Sequence, residues 1–179
     1  TILWNHRWEY DKNPELFFDM MKKIKDKKFD FNLIVIGESF GNSPKIFDKA
    51  KIEFDKQIIK WGYQKSIEDY INCLFMCDIM PVTSNHDFFG ISVMEAVFCN
   101  VWPILPDRLS YRELFKNKGY TENIFTNDNQ LMKKIEAAIK NIHQIRSKSL
   151  TKVAQEYDWK KLARVYDSEF EKITQKSNL

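Results

Sequence analysis

Apolar residues recur along this chain in two spacings. Short, mostly apolar runs, Ile2 to Trp4, Phe31 to Ile36, Ile58 to Trp61 and Ile79 to Val82, read as strands, with Phe31 to Ile36 of the buried type. Between them the spacing widens to a helical period. Leu16, Phe17, Met20, Met21 and Ile24 form one stripe, and Ile67, Tyr70, Ile71, Leu74 and Phe75 another. Trp102 to Leu105, interrupted by Pro103, and Ile124-Phe125 read as two further short strands, with a helical turn over Ser110 to Phe115. Asn127 or Asn129 caps a helix to about His143, and two more helices follow near Arg146–Glu156 and Asp158–Ile173. The tail beyond about Gln175 reads as frayed.

Polar residues punctuate this pattern. Asn13-Pro14 opens the first helix, because Asn caps and Pro suits the first helical position, and Ser43-Pro44 opens a second by the same rule. Ser66 caps the third, with Asp69 three residues on. Pro81 cannot donate to a ladder, so its strand is expected at a sheet edge or in an irregular position. Strands thus alternate with helices five or six times. That pattern predicts an α/β fold, a Rossmann-like doubly wound sheet with mostly parallel strands. Ligands of such sheets sit at the carboxyl ends of the strands. Here those ends carry Arg7, Lys12, Gly37, Gly62, Ser84 and Asp87 to Gly90.

Composition adds limits. The 179 residues suffice for one domain, and 44% apolar with 30% charged residues is globular rather than disordered. A net charge of +3 is too mild to imply nucleic-acid binding by itself. Cys73, Cys77 and Cys99 form no C-x-x-C pair, and their odd number without a signal peptide points to reduced thiols in the cytoplasm. Cys73 and Cys77, four apart, read as buried packing. No run approaches the ~18 apolar residues of a membrane span. The chain starts at Thr1 without Met and enters a strand at once, so the expectation is a single domain over residues 1–179 cut from a longer protein.

The stretch Ser84 to Asn100, SNHDFFGISVMEAVFCN, concentrates the candidate chemistry. Asp87 lies in a loop, Gly90 at a helix start and Glu95 inside the apolar helix that follows. Helix starts offer backbone N–H groups and partial positive charge, which suit a phosphate or sugar oxygen, and carboxylates accept from hydroxyls. Such a site can hold a sugar nucleotide. Arg7 and Lys12 could neutralise its diphosphate, or be two solvated surface cations. Glu95 could bind a ribose diol, or be a buried structural salt bridge. Asp87 could touch the sugar or only cap the helix. Phe88 and Phe89 read as wall or core, and Gly90 as a point of close backbone approach. Gly37 and Gly62 divide evenly between site and turn chemistry, and Tyr63 and Gln64 could present backbone groups to a base. His6 and His86 flank the site without an assigned role. No metal-ligand spacing is present, and neither G-x-G-x-x-G nor G-x-x-x-x-G-K-[ST] occurs.

Asp87-x7-Glu95, with Phe89-Gly90 between, resembles the E-x7-E motif of the retaining glycosyltransferases of family 4. ILWNHRWEYDKNPELFF, WGY and HDFFGISVMEAVFCN resemble more specifically the tRNA-queuosine α-mannosyltransferase branch. The late Tyr157-Asp158-Trp159 is similar to the start of that family's closing helix. Two departures are Asp87 where the motif usually has Glu, and Asn100 where Gly is usual.

The resemblance implies the C-terminal, donor-binding half of a GT-B fold, with an acceptor-binding half N-terminal to residue 1. It implies a nucleotide-sugar donor, GDP-mannose, bound without a metal or other cofactor. Arg7 and Lys12 would hold the diphosphate and stabilise the leaving charge, and Asp87 would bind sugar hydroxyls; these three would be the catalytic residues. Glu95 would bind the ribose, and backbone groups of Phe89, Gly90 and Ile91 would assist. The acceptor would be queuosine in tRNA, and this half alone would bind donor without transferring sugar. A family 4 enzyme acting on lipopolysaccharide or a lipid, and a non-catalytic nucleotide-binding module, remain as alternatives.

Overall fold

The computed structural model describes residues 1–41 and 43–176, with side chains to 174; the frayed tail expected beyond Gln175 lies almost wholly outside the described residues. Six strands are β1 (Ile2–Trp4), β2 (Leu33–Ile36), β3 (Ile58–Gly62), β4 (Ile79–Pro81), β5 (Trp102–Pro106) and β6 (Ile124–Phe125). The helices are α1 (Pro14–Asp26), α2 (Ile46–Glu53), α3 (Ile67–Phe75), α4 (Ile91–Phe98), α5 (Tyr111–Leu114), α6 (Asp128–Lys140), α7 (Ile142–Ser147), α8 (Thr151–Gln155) and α9 (Trp159–Lys176). The strands run parallel in the order β3-β2-β1-β4-β5-β6, so the sheet is doubly wound and its winding reverses between β1 and β4.

The caps act as read. Asn13 accepts from the Leu16 N–H at 3.3 Å, Ser66 from the Asp69 N–H at 3.0 Å and Asn127 from the Gln130 N–H at 3.0 Å. Asn100 after α4 takes the left-handed conformation, with φ 66°. Ser43 does not cap α2, which starts at Ile46; its hydroxyl is used by the Phe40 carbonyl and by Ser39. The helix expected to reach His143 stops at Lys140, where the Asn141 side chain turns back onto the Ala137 carbonyl and α7 begins. The helix expected over Arg146–Glu156 is likewise divided, since Arg146 belongs to α7 and α8 starts at Thr151. Phe31 is buried but precedes β2.

Pro81 does not mark an edge. Strand β4 lies in the middle of the sheet, between β1 and β5. Successive residues of a strand address opposite neighbours. The Val82 N–H donates to Ile104 of β5 and the Ile79 N–H reaches the Thr1 carbonyl beside β1, so position 81 faces β1. The β1–β4 ladder consists of one pair, Ile2 with Ile79, and its next rung is the one that Pro81 cannot donate. Pro103 in β5 is accommodated differently: its carbonyl accepts from the side chain of the buried Asn123 at 2.8 Å.

The core is unusually aromatic on the α1–α2 side. Trp4 is fully buried against Phe17, Phe18 and Phe47, and Trp8 stacks on Phe47 at 4.3 Å. This cluster fixes β1, whose end carries the candidate site. Cys73 and Cys77 are free and buried, and burial pushes the Cys77 thiol up to about 12, as inert packing thiols require. Among the described residues no helix is long and apolar enough to cross a membrane.

Candidate donor site at the carboxyl edge of the sheet

Where β1 and β4 part, two cavities of about 300 and 350 Å³ open side by side. Asn5 and Arg7, just past β1, line both. The first also takes in His6, Asp11, Lys12, Asp87 and the start of α4; the second takes in Gly37, Tyr63, Gln64 and Tyr70. Arg7, Lys12, Gly37, Tyr63, Asp87, Phe88, Phe89, Gly90 and Ile91 are therefore brought together along one rim.

The loop after β1 is folded back to present its cations. A single turn over Tyr10–Lys12 ends at Asn13, whose φ is 53°. The N–H groups of Asn85 and His86 donate to the Asp11 carbonyl, and the Thr83 hydroxyl donates to the carbonyls of Lys12 and Asn13. This stitching leaves Lys12 only 8% exposed, its ammonium donating to the His86 carbonyl at 2.6 Å and pairing with Asp11 at 3.0 Å. Arg7 is more open, 3.2 Å from Glu9.

Asp87 braces the turn that leads into α4. One carboxylate oxygen accepts from the Gly90 N–H at 3.0 Å and the other from the Tyr111 hydroxyl at 3.0 Å. Carboxylate oxygens have further lone pairs, so a sugar hydroxyl can still be met, but the group is first a brace for α4. Burial, and next the Asp87 charge, push the Tyr111 phenol well above its ordinary value, so it stays a donor. Gly90 has φ 87°, and a Cβ there would stand 2.8 Å from the Tyr111 ring. Close approach does explain this glycine. It explains Gly37 more strongly, since a Cβ there would lie 2.1 Å from the His6 carbonyl oxygen.

Four residues differ from what the sequence led us to expect. Glu95 is exposed, not buried in a salt bridge; it accepts from the Tyr70 hydroxyl at 2.7 Å and lines a third, apolar cavity of about 440 Å³ between α3 and α4. Ile91 and Tyr70 line this cavity and one of the other two, so Glu95 borders the rim. Ser84 is fully buried, with its carbonyl held by Arg108, and lines none of these cavities. Gly62 is adjacent to the rim but only its successors Tyr63 and Gln64 line it. Phe88 projects into solvent, edge-on to His86.

Asn5 and His6 carry no role in the sequence reading, although their place at the end of β1 is the signal that could have found them. The His6 ring meets the Ser92 hydroxyl at 3.0 Å, and among the described residues its other buried nitrogen has no partner, nor has the buried Asn5 side-chain oxygen. Burial lowers His6 to about 4, against the opposing pull of Asp87. The unfolded chain therefore binds the proton more readily, and the native state loses stability as pH falls from 6.5 toward 4, by up to about 3 kcal/mol. Chemical denaturation at pH 7 and 4.5 will show this loss, and His6→Gln will reduce it.

Residues 1–157 match the family described as "Glycosyl transferases group 1". The chain belongs to that family. The tRNA-queuosine alpha-mannosyltransferase of Drosophila melanogaster is 34% identical over 134 residues, which cover 75% of this chain and 34% of that protein. The chain thus spans about a third of this relative's length. Among solved structures, the sucrose-phosphate synthase of Thermosynechococcus elongatus superposes with a TM-score of 0.73 at 16% identity, over 97% of this chain and 45% of that one. Anabaena HepE in complex with UDP superposes with a TM-score of 0.68 at 15% identity, over 97% of this chain and 48% of that one. These two structures show the fold, a Rossmann-like half of the GT-B architecture, and the family match shows a glycosyltransferase domain.

Proposed function

We propose that this chain binds a nucleotide-sugar donor, GDP-mannose, for retaining transfer to queuosine in tRNA. The observation that carries the donor reading is the pair of cavities divided by Arg7, with the half-open guanidinium and the buried Lys12 ammonium at one end. A diphosphate placed there meets two cations and the start of α4, an arrangement that stabilises the charge of the leaving group without a metal. The sugar lies toward Asp87, with backbone of Phe89, Gly90 and Ile91 beside it. The nucleoside extends along Gly37, Tyr63 and Gln64, with Glu95 accepting from its ribose. HepE, of like fold, is described in complex with UDP, which supports a nucleotide site in this architecture.

The acceptor reading rests on the HRWE-x-DK string and on the Drosophila relative. Calorimetry with GDP, UDP, GDP-mannose and UDP-glucose tests the donor, and GDP-mannose is expected to bind more tightly than UDP-glucose. A folded sample that takes up none of the four would indicate a module of another kind. Deleting the gene and analysing tRNA nucleosides by mass spectrometry tests the acceptor; mannosylated queuosine should disappear, and an unchanged nucleoside profile would point to a different acceptor.

A further inference from the structure

The apolar stripe of α3 contains one polar atom that the sequence pattern conceals. The Tyr70 hydroxyl accepts from the Asn5 side-chain amide at 3.1 Å and stands 2.7 Å from Glu95. The same Asn5 amide donates to the Ser92 carbonyl at 2.9 Å, which only an NH₂ can do, so the orientation of Asn5 is fixed. With its lone pair engaged by Asn5, the phenol has one proton left, and that proton points to Glu95. The polarity runs one way, from the end of β1 through α3 to α4. Burial, followed by the Glu95 carboxylate, pushes the phenol far above its ordinary value, so it remains a donor at any working pH. Among the described residues Glu95 has no other hydrogen bond or ion pair; it sits on an exposed helix face, where a free carboxylate would swing among rotamers.

We infer that Tyr70 is a positioning residue that holds one oxygen of Glu95 and leaves the other aimed at the ribose, making the site selective for ribonucleotides over 2′-deoxyribonucleotides. This rests on the proposed nucleotide site and deepens it. Losing a hydroxyl that a fixed acceptor awaits costs more than losing one that a mobile acceptor meets, because the preorganised carboxylate is left unpaired.

The test is calorimetry on the full chain with GDP, UDP and their 2′-deoxy forms. The wild-type chain is expected to prefer the ribose forms about tenfold. Tyr70→Phe keeps the ring and removes only the hydroxyl; the preference is expected to fall below about twofold while diphosphate-driven affinity for the deoxy form is kept. A purely structural role would weaken both forms alike. Tyr70→Leu serves as a second variant with the same expectation if the first loses its native near-ultraviolet dichroism. Glu95→Gln in the Tyr70→Phe background should add little further loss of preference. A preference that survives removal of the hydroxyl in either folded variant overturns the positioning role while the nucleotide site stands. A wild-type chain that binds nucleotide without preference overturns it at the ribose contact. A wild-type chain that binds no nucleotide overturns the site itself, and the inference with it.

Discussion

Gly37→Ala is expected to cost on the order of 3 kcal/mol or more and to leave much of the chain unfolded. Two penalties combine there. The residue has φ 149°, outside the range that a side chain readily accepts, which costs about 1–3 kcal/mol. The added methyl would also lie 2.1 Å from the His6 carbonyl oxygen and 3.3 Å from the Trp8 ring. The first neighbour is backbone, and the His6 carbonyl is already engaged by the Trp4 indole N–H at 3.0 Å, so it cannot retreat. Overpacking of this kind adds about 1–3 kcal/mol. The comparison is Gly62→Ala, where φ is 89° but nothing lies within 4 Å of the new methyl; only the backbone penalty applies and the loss should be smaller. Urea unfolding of the two variants distinguishes them. Equal losses would mean that the contact with His6 is slack.

Lys12→Ala is expected to weaken nucleoside diphosphate binding by about 10- to 100-fold, following the 1.5–3 kcal/mol typical of hydrogen bonds to charged groups. Arg7→Ala should lose less, about tenfold or below. The difference comes from their surroundings. Lys12 is buried and held at two points, so its charge acts through little water and at a fixed place. Arg7 has a side chain 56% exposed and paired with Glu9, so solvent screens it and its fork must reorient. Calorimetry with GDP at two ionic strengths reads both effects. The Arg7 contribution should shrink with salt and that of Lys12 should persist. Loss of the Lys12 ammonium without effect on affinity would put the diphosphate elsewhere.

The elements were legible wherever packing and local chemistry agree. The runs Ile2–Trp4 and Ile79–Pro81 are strands because both faces of the sheet are covered, and Asn13, Ser66 and Asn127 start helices because their side chains meet backbone N–H groups within three residues. Legibility failed where the decision was made at a distance. Pro81 reads as an edge residue from its own chemistry, yet the neighbour it faces has only one rung to offer. Ser84 reads as a rim residue from its place after β4, yet Arg108, 24 positions on, draws its carbonyl inward. Glu95 looks buried because its neighbours on α4 are apolar, but it lies on the outward face of the helix with Ile91 and Phe98, where the Tyr70 hydroxyl meets it. The rim residues that sequence order brought together, Arg7, Lys12 and Asp87 to Ile91, are those on loops next to the reversal of winding, where topology alone dictates the meeting.

Pro81 has a consequence for how that mouth is held. It acts as a zip stop: the two central strands join for one step, and the loops that leave them are then fastened to each other by the Asn85 and His86 N–H groups on the Asp11 carbonyl and by the Thr83 hydroxyl on the carbonyls of Lys12 and Asn13. The spacing of the two loops is therefore set by a clasp of turn amides and one hydroxyl, not by the sheet.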